Sequence, residues 1–158
     1  MRFVVQSKKA TLINVLVILF SLSFYIFVFS LIFYRLESNT LLPSQIVLDL
    51  KGNLEEFLEP KPISTVLEQM HINLFIFNTA LLILSSILYR TFTDKKVKFI
   101  LIVSGFFSMY FEELSTLAVI YLDDKFSYVV SIGFFVMVFI MTLINSINLI
   151  SFLTGKIK

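Results

Sequence analysis

The stretch from Phe99 to Leu122 reads FILIVSGFFSMYFEELSTLAVIYL, and the interpretation of the whole chain starts from it. It is long enough to cross the hydrocarbon core of a bilayer as a helix, which takes about 20 residues. Near its middle stand two adjacent acids, Glu112 and Glu113. An acid at the centre of a membrane helix costs roughly 2.5 to 3.5 kcal/mol, so it usually faces a partner, a cavity or an ion pathway. The pair is therefore our first candidate for a functional site.

Other apolar stretches of similar length accompany this one along the chain. Charged residues make up only 15% of the sequence, against about 25% in ordinary soluble domains, and they are concentrated between the apolar stretches. We predict membrane spans over about residues 11–34, 66–89, 99–122 and 127–153. Residues 1–158 then form a single all-α transmembrane domain, a four-helix bundle in contact with the lipid bilayer.

The positively charged residues predict the orientation of this bundle. Most of the thirteen Lys and Arg residues fall at the chain ends or between the second and third spans: Arg2, Lys8, Lys9, Arg90, Lys95, Lys96, Lys98, Lys156 and Lys158. By the positive-inside rule, both termini and the 90–98 loop are cytoplasmic. We expect the inner membrane of a bacterium, since the sequence shows no eukaryotic targeting feature. The net charge of +2 reflects this asymmetry and does not indicate nucleic-acid binding.

The outer loop of residues 35–65, which contains Arg35 to Ser64, is the largest segment predicted to lie outside the membrane. Within residues 44–59, apolar side chains recur at helical spacing: Val47, Leu50, Leu54 and Phe57. This spacing predicts a short amphipathic helix, weakened by Gly52, at the outer surface. The helix either covers the mouth of the bundle or offers a docking site to a partner protein, and we favour the cover.

Counting residues from the predicted outer boundary places Asn78 of the second span at the depth of Glu112 and Glu113. Adjacent residues on a helix diverge by about 100°. We therefore expect Glu112 to face the bundle interior and Glu113 to face a second helix, a partner subunit or the outer water. Burial favours the neutral form of a carboxyl group. Either glutamate could then carry a proton, or simply specify packing by hydrogen-bonding Asn78, a serine or a backbone carbonyl.

His71, the one histidine, stands near the outer end of the second span. A histidine at this position more often carries a polar tip to the membrane surface than it binds a ligand. A haem would need a second axial ligand, such as Met or a partner's His. A copper site could combine His71 with Met70 and Met109, although the neighbours Met70 and His71 converge poorly. Because the chain has no Cys and one His, we expect no enzymatic activity from it alone, and no cofactor is required.

The run Met70-His71-Ile72-Asn73-Leu74-Phe75, followed by a long apolar span, a basic turn and an acidic span, resembles a family of small bacterial four-span inner-membrane proteins. In that family the second span begins with His-x-His-Leu-Phe and the third span carries an Asp. Here Asn73 replaces the second His, which argues against a two-His metal site, and Glu112 replaces the Asp. The resemblance implies that His71 and Glu112 belong to one constellation in the outer half of the bundle.

Three functional hypotheses follow from these features. The first is a non-catalytic small subunit or accessory protein of a larger membrane complex, because buried acids need partners. The alternative is a proton- or cation-coupled permease or channel that acts as a homo-oligomer, with Glu112 as the carrier. The second alternative is a membrane anchor that contributes His71 to a haem or quinone site.

Overall fold

The structure is a computed structural model that describes residues 2–53, 57–91 and 94–154, with side chains from residue 12 onward. Over these residues the chain forms five helices: α1 (Arg2–Glu37), α2 (Pro43–Lys51), α3 (Ile63–Tyr89), α4 (Lys95–Tyr121) and α5 (Phe126–Leu153). The long helices α1, α3, α4 and α5 contain the four apolar stretches. Each extends beyond at least one predicted end, because backbone hydrogen bonding continues past the apolar core of a helix.

Three of the described helices are long and apolar enough to cross a membrane: Leu12–Glu37 within α1, Ile63–Tyr89 and Phe126–Leu153. Helix α4 is not among them. It carries lysines in its first turn and the two glutamates in its second half, and these charges lower its mean hydropathy. The structure therefore confirms an all-α membrane protein with three clear candidate spans in its described residues.

Helix α5 is the central helix, and it packs against each of the other four. Half of its most apolar window is buried, against 22% of the corresponding windows in α1 and α3. Its most extensive contact is with α4. At Gly133 the helices lie so close that an added Cβ would stand 3.2 Å from the Cβ of Glu112. A small residue permits this approach, which fixes the position of Glu112 relative to α5.

Helix α1 is attached differently, because among the described helices it makes close backbone contacts with α5 alone. The Asn145 amide of α5 donates to the Ser21 carbonyl of α1 at 3.1 Å. Toward α3, contact is made by side chains such as the rings of Phe27 and Phe77, whose centroids lie 6.3 Å apart. A gap bridged by side chains therefore separates α1 from α3 and α4.

The end of the bundle away from α2 is solidly packed. Its apolar core is made of fully buried side chains from α3, α4 and α5: Leu81, Leu84, Leu88, Met109, Met137 and Ile144. Within this core the Asn148 amide donates to the Leu84 carbonyl at 2.9 Å. Such an interhelical hydrogen bond contributes modestly to stability, roughly 0.6 kcal/mol.

Helix α2 lies across the opposite end, in the loop where the sequence predicted an amphipathic helix. It buries Ile46 and Leu50 against apolar residues of α3, α4 and α5. Two ion pairs hold its C-terminal half: Lys51 Nζ lies 2.6 Å from Asp124 Oδ1, and Lys61 Nζ lies 3.0 Å from Asp49 Oδ2. The helix therefore covers this end of the bundle.

The predicted extent and apolar face of this helix were partly wrong. The helix ends at Gly52, whose φ of 70° favours glycine and whose added Cβ would meet the Leu58 carbonyl oxygen at 2.3 Å. The buried face is formed by Ile46 and Leu50, with Val47 only partly buried. Phe57 lies beyond the helix and is 94% exposed. Leu54, the remaining residue of the predicted apolar face, lies outside the described residues.

Candidate functional site

A cavity of about 280 Å³ lies beneath α2, between α1, α3 and α4. Charged side chains reach it from four parts of the chain: Arg35, Asp49, Lys61, Glu112 and Glu113. Uncharged polar groups and apolar side chains complete its walls, among them Asn73, Thr116, Leu31, Tyr34, Met70 and Phe77. We call this the α2 cavity.

The more buried of the two ion pairs at the α2 cavity joins Arg35 of α1 and Oε1 of Glu112 in α4. Only 13% of the Arg35 side chain and 2% of the Glu112 side chain are exposed. The guanidinium also lies over the ring of Phe134, 4.1 Å from its centroid. A charge-assisted hydrogen bond and a cation–π contact together compensate the burial of both charges.

Arg35 was missed as a site residue, because the sequence placed it at the start of the outer loop. Helix α1 instead continues to Glu37, and Arg35 falls in its last turn. A cation there is favoured by the helix dipole. Over their described residues, helices α1 and α4 make no close backbone contact. From the last turn of α1, the long side chain of Arg35 spans the gap between them and reaches Glu112.

Glu113 lies on the α3 side of the same cavity and is as well buried as Glu112. The Asn73 side chain of α3 interacts with its carboxylate. Two carboxylate oxygens have no hydrogen-bond partner among the described residues, Glu112 Oε2 and Glu113 Oε1. The side chains of Glu112 and Glu113 point in different directions from α4, as those of adjacent helical residues do. Both still line the α2 cavity, because the cavity extends between α4 and its neighbours α1 and α3.

Asn78, which the sequence placed level with the acids, does not line the α2 cavity. Its Oδ1 accepts a hydrogen bond from the Tyr110 hydroxyl at 3.1 Å. The residue that takes its expected place is Asn73, five positions earlier on α3. Asn73 falls at helical spacing between the buried residues Val66 and Phe77, a signal in the sequence that points to the interior face.

His71 is exposed and does not line the cavity, whereas its neighbour Met70 does. The structure therefore does not bring His71 and Glu112 into the constellation that the resemblance implied. Met70 and His71 point to different surroundings, as expected for adjacent residues on a helix. In the part of the chain that the structure describes, no three side chains of His, Asp or Glu meet in a group that could hold a metal ion.

The chemistry available at the α2 cavity is that of charge binding. Its described lining holds two cations and three carboxylates. Lys61 pairs with Asp49 and Arg35 pairs with Glu112, so Glu113 is the carboxylate without a cationic partner among these lining residues. Such a site can accept a proton or a small positively charged group.

A family model described as a transmembrane helical domain matches residues 40–158, which include α2 to α5 and the two glutamates. Helix α1, and with it Arg35, lies before the matched region. Searches among curated proteins and solved structures gave no match to the chain. The match covers well over half of the residues, and the chain therefore belongs to this family of transmembrane helical domains.

Proposed function

We propose that the chain crosses the inner membrane of a bacterium four times, with both termini in the cytoplasm and α4 as the fourth span. Helix α4 has 27 residues, the same length as α3, and packs along the central helix α5. The Arg35–Glu112 ion pair neutralises its most buried acid. The lysines that begin α4 lie at the end away from α2, where the positive-inside rule requires cytoplasm.

Cysteine accessibility tests this topology cleanly, because the natural chain contains no Cys. Single cysteines would replace the exposed Lys96, before the apolar part of α4, and the exposed Lys125, after it. In right-side-out membrane vesicles, a membrane-impermeant maleimide should label K125C alone, and in inverted vesicles it should label K96C alone. Labelling of both positions from one side would show that α4 does not cross the membrane.

For the function, we propose a non-catalytic small subunit or accessory protein of a larger membrane complex. The observation that carries this proposal is that the α2 cavity is closed toward the end of the bundle away from α2. Its charged groups gather at the α2 end, whereas the other end of the bundle is filled by buried side chains such as Leu84, Leu88 and Ile144. In the described part of the chain, this packing offers a place to bind and closes the cavity toward the other end of the bundle.

The surface of the bundle supports the same proposal. Helices α1 and α3 bury only 22% of their most apolar windows within the described chain, and among the described helices α1 makes close backbone contacts with α5 alone. The remaining apolar faces are available to lipid and to the helices of partner subunits. A helix with one close neighbour, such as α1, can bury more additional surface against a partner subunit than a central helix such as α5 can.

Purification of a tagged chain from its native membrane in a mild detergent tests this role. We expect a peak heavier than the chain with its micelle, containing other polypeptides in fixed ratio. A colourless peak that contains only this chain would contradict the proposal. A Soret absorbance in the peak would instead favour the haem anchor, which the exposed position of His71 does not support.

A second candidate function is proton- or cation-coupled transport by a homo-oligomer. It is favoured by the buried oxygens Glu112 Oε2 and Glu113 Oε1, which lack partners among the described residues. Reconstituted chain should then acidify or alkalise liposomes under an imposed gradient, and Glu112→Gln should abolish the flux without loss of the oligomer. Absence of flux from a wild-type homo-oligomer would exclude this candidate.

A further inference from the structure

We propose that the α2 cavity is a binding site for a primary ammonium group, carried by a small amine or by the headgroup of an aminophospholipid. This inference goes beyond the subunit role and holds whether or not the chain has protein partners. Four observations carry it: the charge balance of the lining, the buried oxygens without partners, the size and apolar walls of the cavity, and its position beside a gap between helices.

The charge balance selects a cation. Among the described lining residues, Arg35 and Lys61 are each paired with a carboxylate, and no cation forms an ion pair with Glu113. A buried carboxylate without a cation is unfavourable at low dielectric. A ligand with a single positive charge would balance the carboxylate form of Glu113.

The oxygens without partners select a hydrogen-bond donor. Glu112 uses Oε1 for Arg35 and leaves Oε2 unsatisfied, and Glu113 leaves Oε1 unsatisfied. Both side chains are more than nine-tenths buried and line the cavity. A primary ammonium group carries three N–H donors. Donation to a carboxylate makes each such bond roughly twice as strong as a neutral one.

The size of the cavity selects an organic ion over a bare metal cation. A water molecule occupies about 30 Å³ of liquid, so 280 Å³ leaves room for several more atoms than a monovalent ion requires. The apolar wall formed by Leu31, Phe77 and Met70 suits a short hydrocarbon chain. Small-molecule sites in proteins combine such walls with a few placed polar groups.

The position of the cavity provides a route of entry. Helix α1 has no close backbone contact with α3 or α4, so side chains alone separate the cavity from the surroundings on that side. Tyr34, which lines the cavity, is largely exposed there. An amine from water can enter at this edge, and so can a lipid headgroup, because the edge lies at the predicted membrane surface.

The test uses the full chain purified in dodecyl maltoside, titrated with n-butylammonium chloride and followed by calorimetry and by thermal unfolding. Tetramethylammonium chloride has the same charge without N–H donors, and sodium chloride controls for ionic strength. We expect saturable binding and a raised Tm with butylammonium alone. Glu113→Gln should weaken this binding at least about tenfold, or 1.4 kcal/mol, and should fold, because it removes a buried charge. Glu68→Gln, the same change at an exposed site on α3, should leave the affinity unchanged.

Two lipid backgrounds identify the source of the ammonium group. In nanodiscs of phosphatidylethanolamine, a bound headgroup would compete and weaken butylammonium binding relative to phosphatidylcholine nanodiscs. Equal affinity in both would assign the site to a soluble amine, and either result keeps the proposal. An equal response to tetramethylammonium or sodium, no binding by the wild-type chain, or unchanged affinity in Glu113→Gln would overturn it. None of these readouts depends on copurified subunits.

Discussion

Replacing Arg35 with methionine should destabilise the bundle severely, because it leaves Glu112 as a buried carboxylate without its cation. Only 2% of the Glu112 side chain is exposed, so its charge is poorly hydrated. Removing one partner of a buried ion pair costs about 3 to 5 kcal/mol. The lost contact with the Phe134 ring adds to that cost, by about 1 kcal/mol.

Glu112→Gln should cost less, about 1 to 3 kcal/mol, because the amide oxygen still accepts from Arg35 and the guanidinium keeps its contact with the Phe134 ring. In the double variant Arg35→Met with Glu112→Gln, neither member of the pair is left as an unpaired buried charge. The double variant should therefore be more stable than the sum of the single losses predicts, by about 2 kcal/mol of coupling. Lys51→Met is the matched control. It breaks the exposed pair with Asp124 and should cost no more than about 1 kcal/mol.

The assay is SDS-induced unfolding in dodecyl maltoside, followed by circular dichroism for the four variants and the wild type. A loss below about 1 kcal/mol for Arg35→Met would place this pair with surface ion pairs and refute the reasoning. Strict additivity in the double variant would refute it as well, since the two side chains would then not interact in the folded state.

Further predictions concern packing and the cover formed by α2. Gly133→Val should lower the free energy of unfolding by about 1 to 3 kcal/mol, because its added atoms meet the α4 backbone. Gly105→Ala should cost less than about 1 kcal/mol in the same assay, since its nearest neighbour is the movable end of Leu81. Asn148→Leu should cost only about 0.6 kcal/mol, and a loss as large as that of Arg35→Met would contradict this ranking. Raising NaCl from about 0.05 M to about 1 M should speed hydrogen exchange of the α2 amides and leave α5 unchanged, because salt screens the partly exposed ion pairs of α2. Equal exchange at both salt concentrations would show that apolar packing alone holds α2.

Hydropathy and charge were sufficient to predict the helices, because the cost of exposing a backbone to lipid leaves few alternatives. Helix α4 shows the limit of this argument. It has the same length as α3 and packs along α5, yet it is not among the three clear spans, and it carries two buried glutamates. The partner that neutralises Glu112 is Arg35 of α1. It lies far away in the sequence, and no local sequence pattern predicts the pairing.

The candidate site was only partly predictable for a related reason. Depth along a helix can be counted, and it drew attention to Glu112 and Glu113, both of which are buried. Rotation about the helix axis decides which side chains meet, and it depends on packing against several neighbours at once. Asn78 therefore bonds Tyr110, whereas Asn73 reaches Glu113. Arg35 escaped notice because one additional turn of α1 changed it from a loop residue into a helical one.

The central place of α5 has a consequence for how the protein is made. A chain is synthesised and folded from its N-terminal end, so α1 enters the membrane long before its close neighbour α5 exists. During that interval α1 has no helix of its own chain to pack against closely, although α3 and α4 can already associate. The close packing of α1 must therefore await the synthesis of α5. A translational pause or premature stop before Phe126 would leave α1 in the bilayer without its close neighbour. It would then be exposed to membrane proteases and to non-native helix contacts.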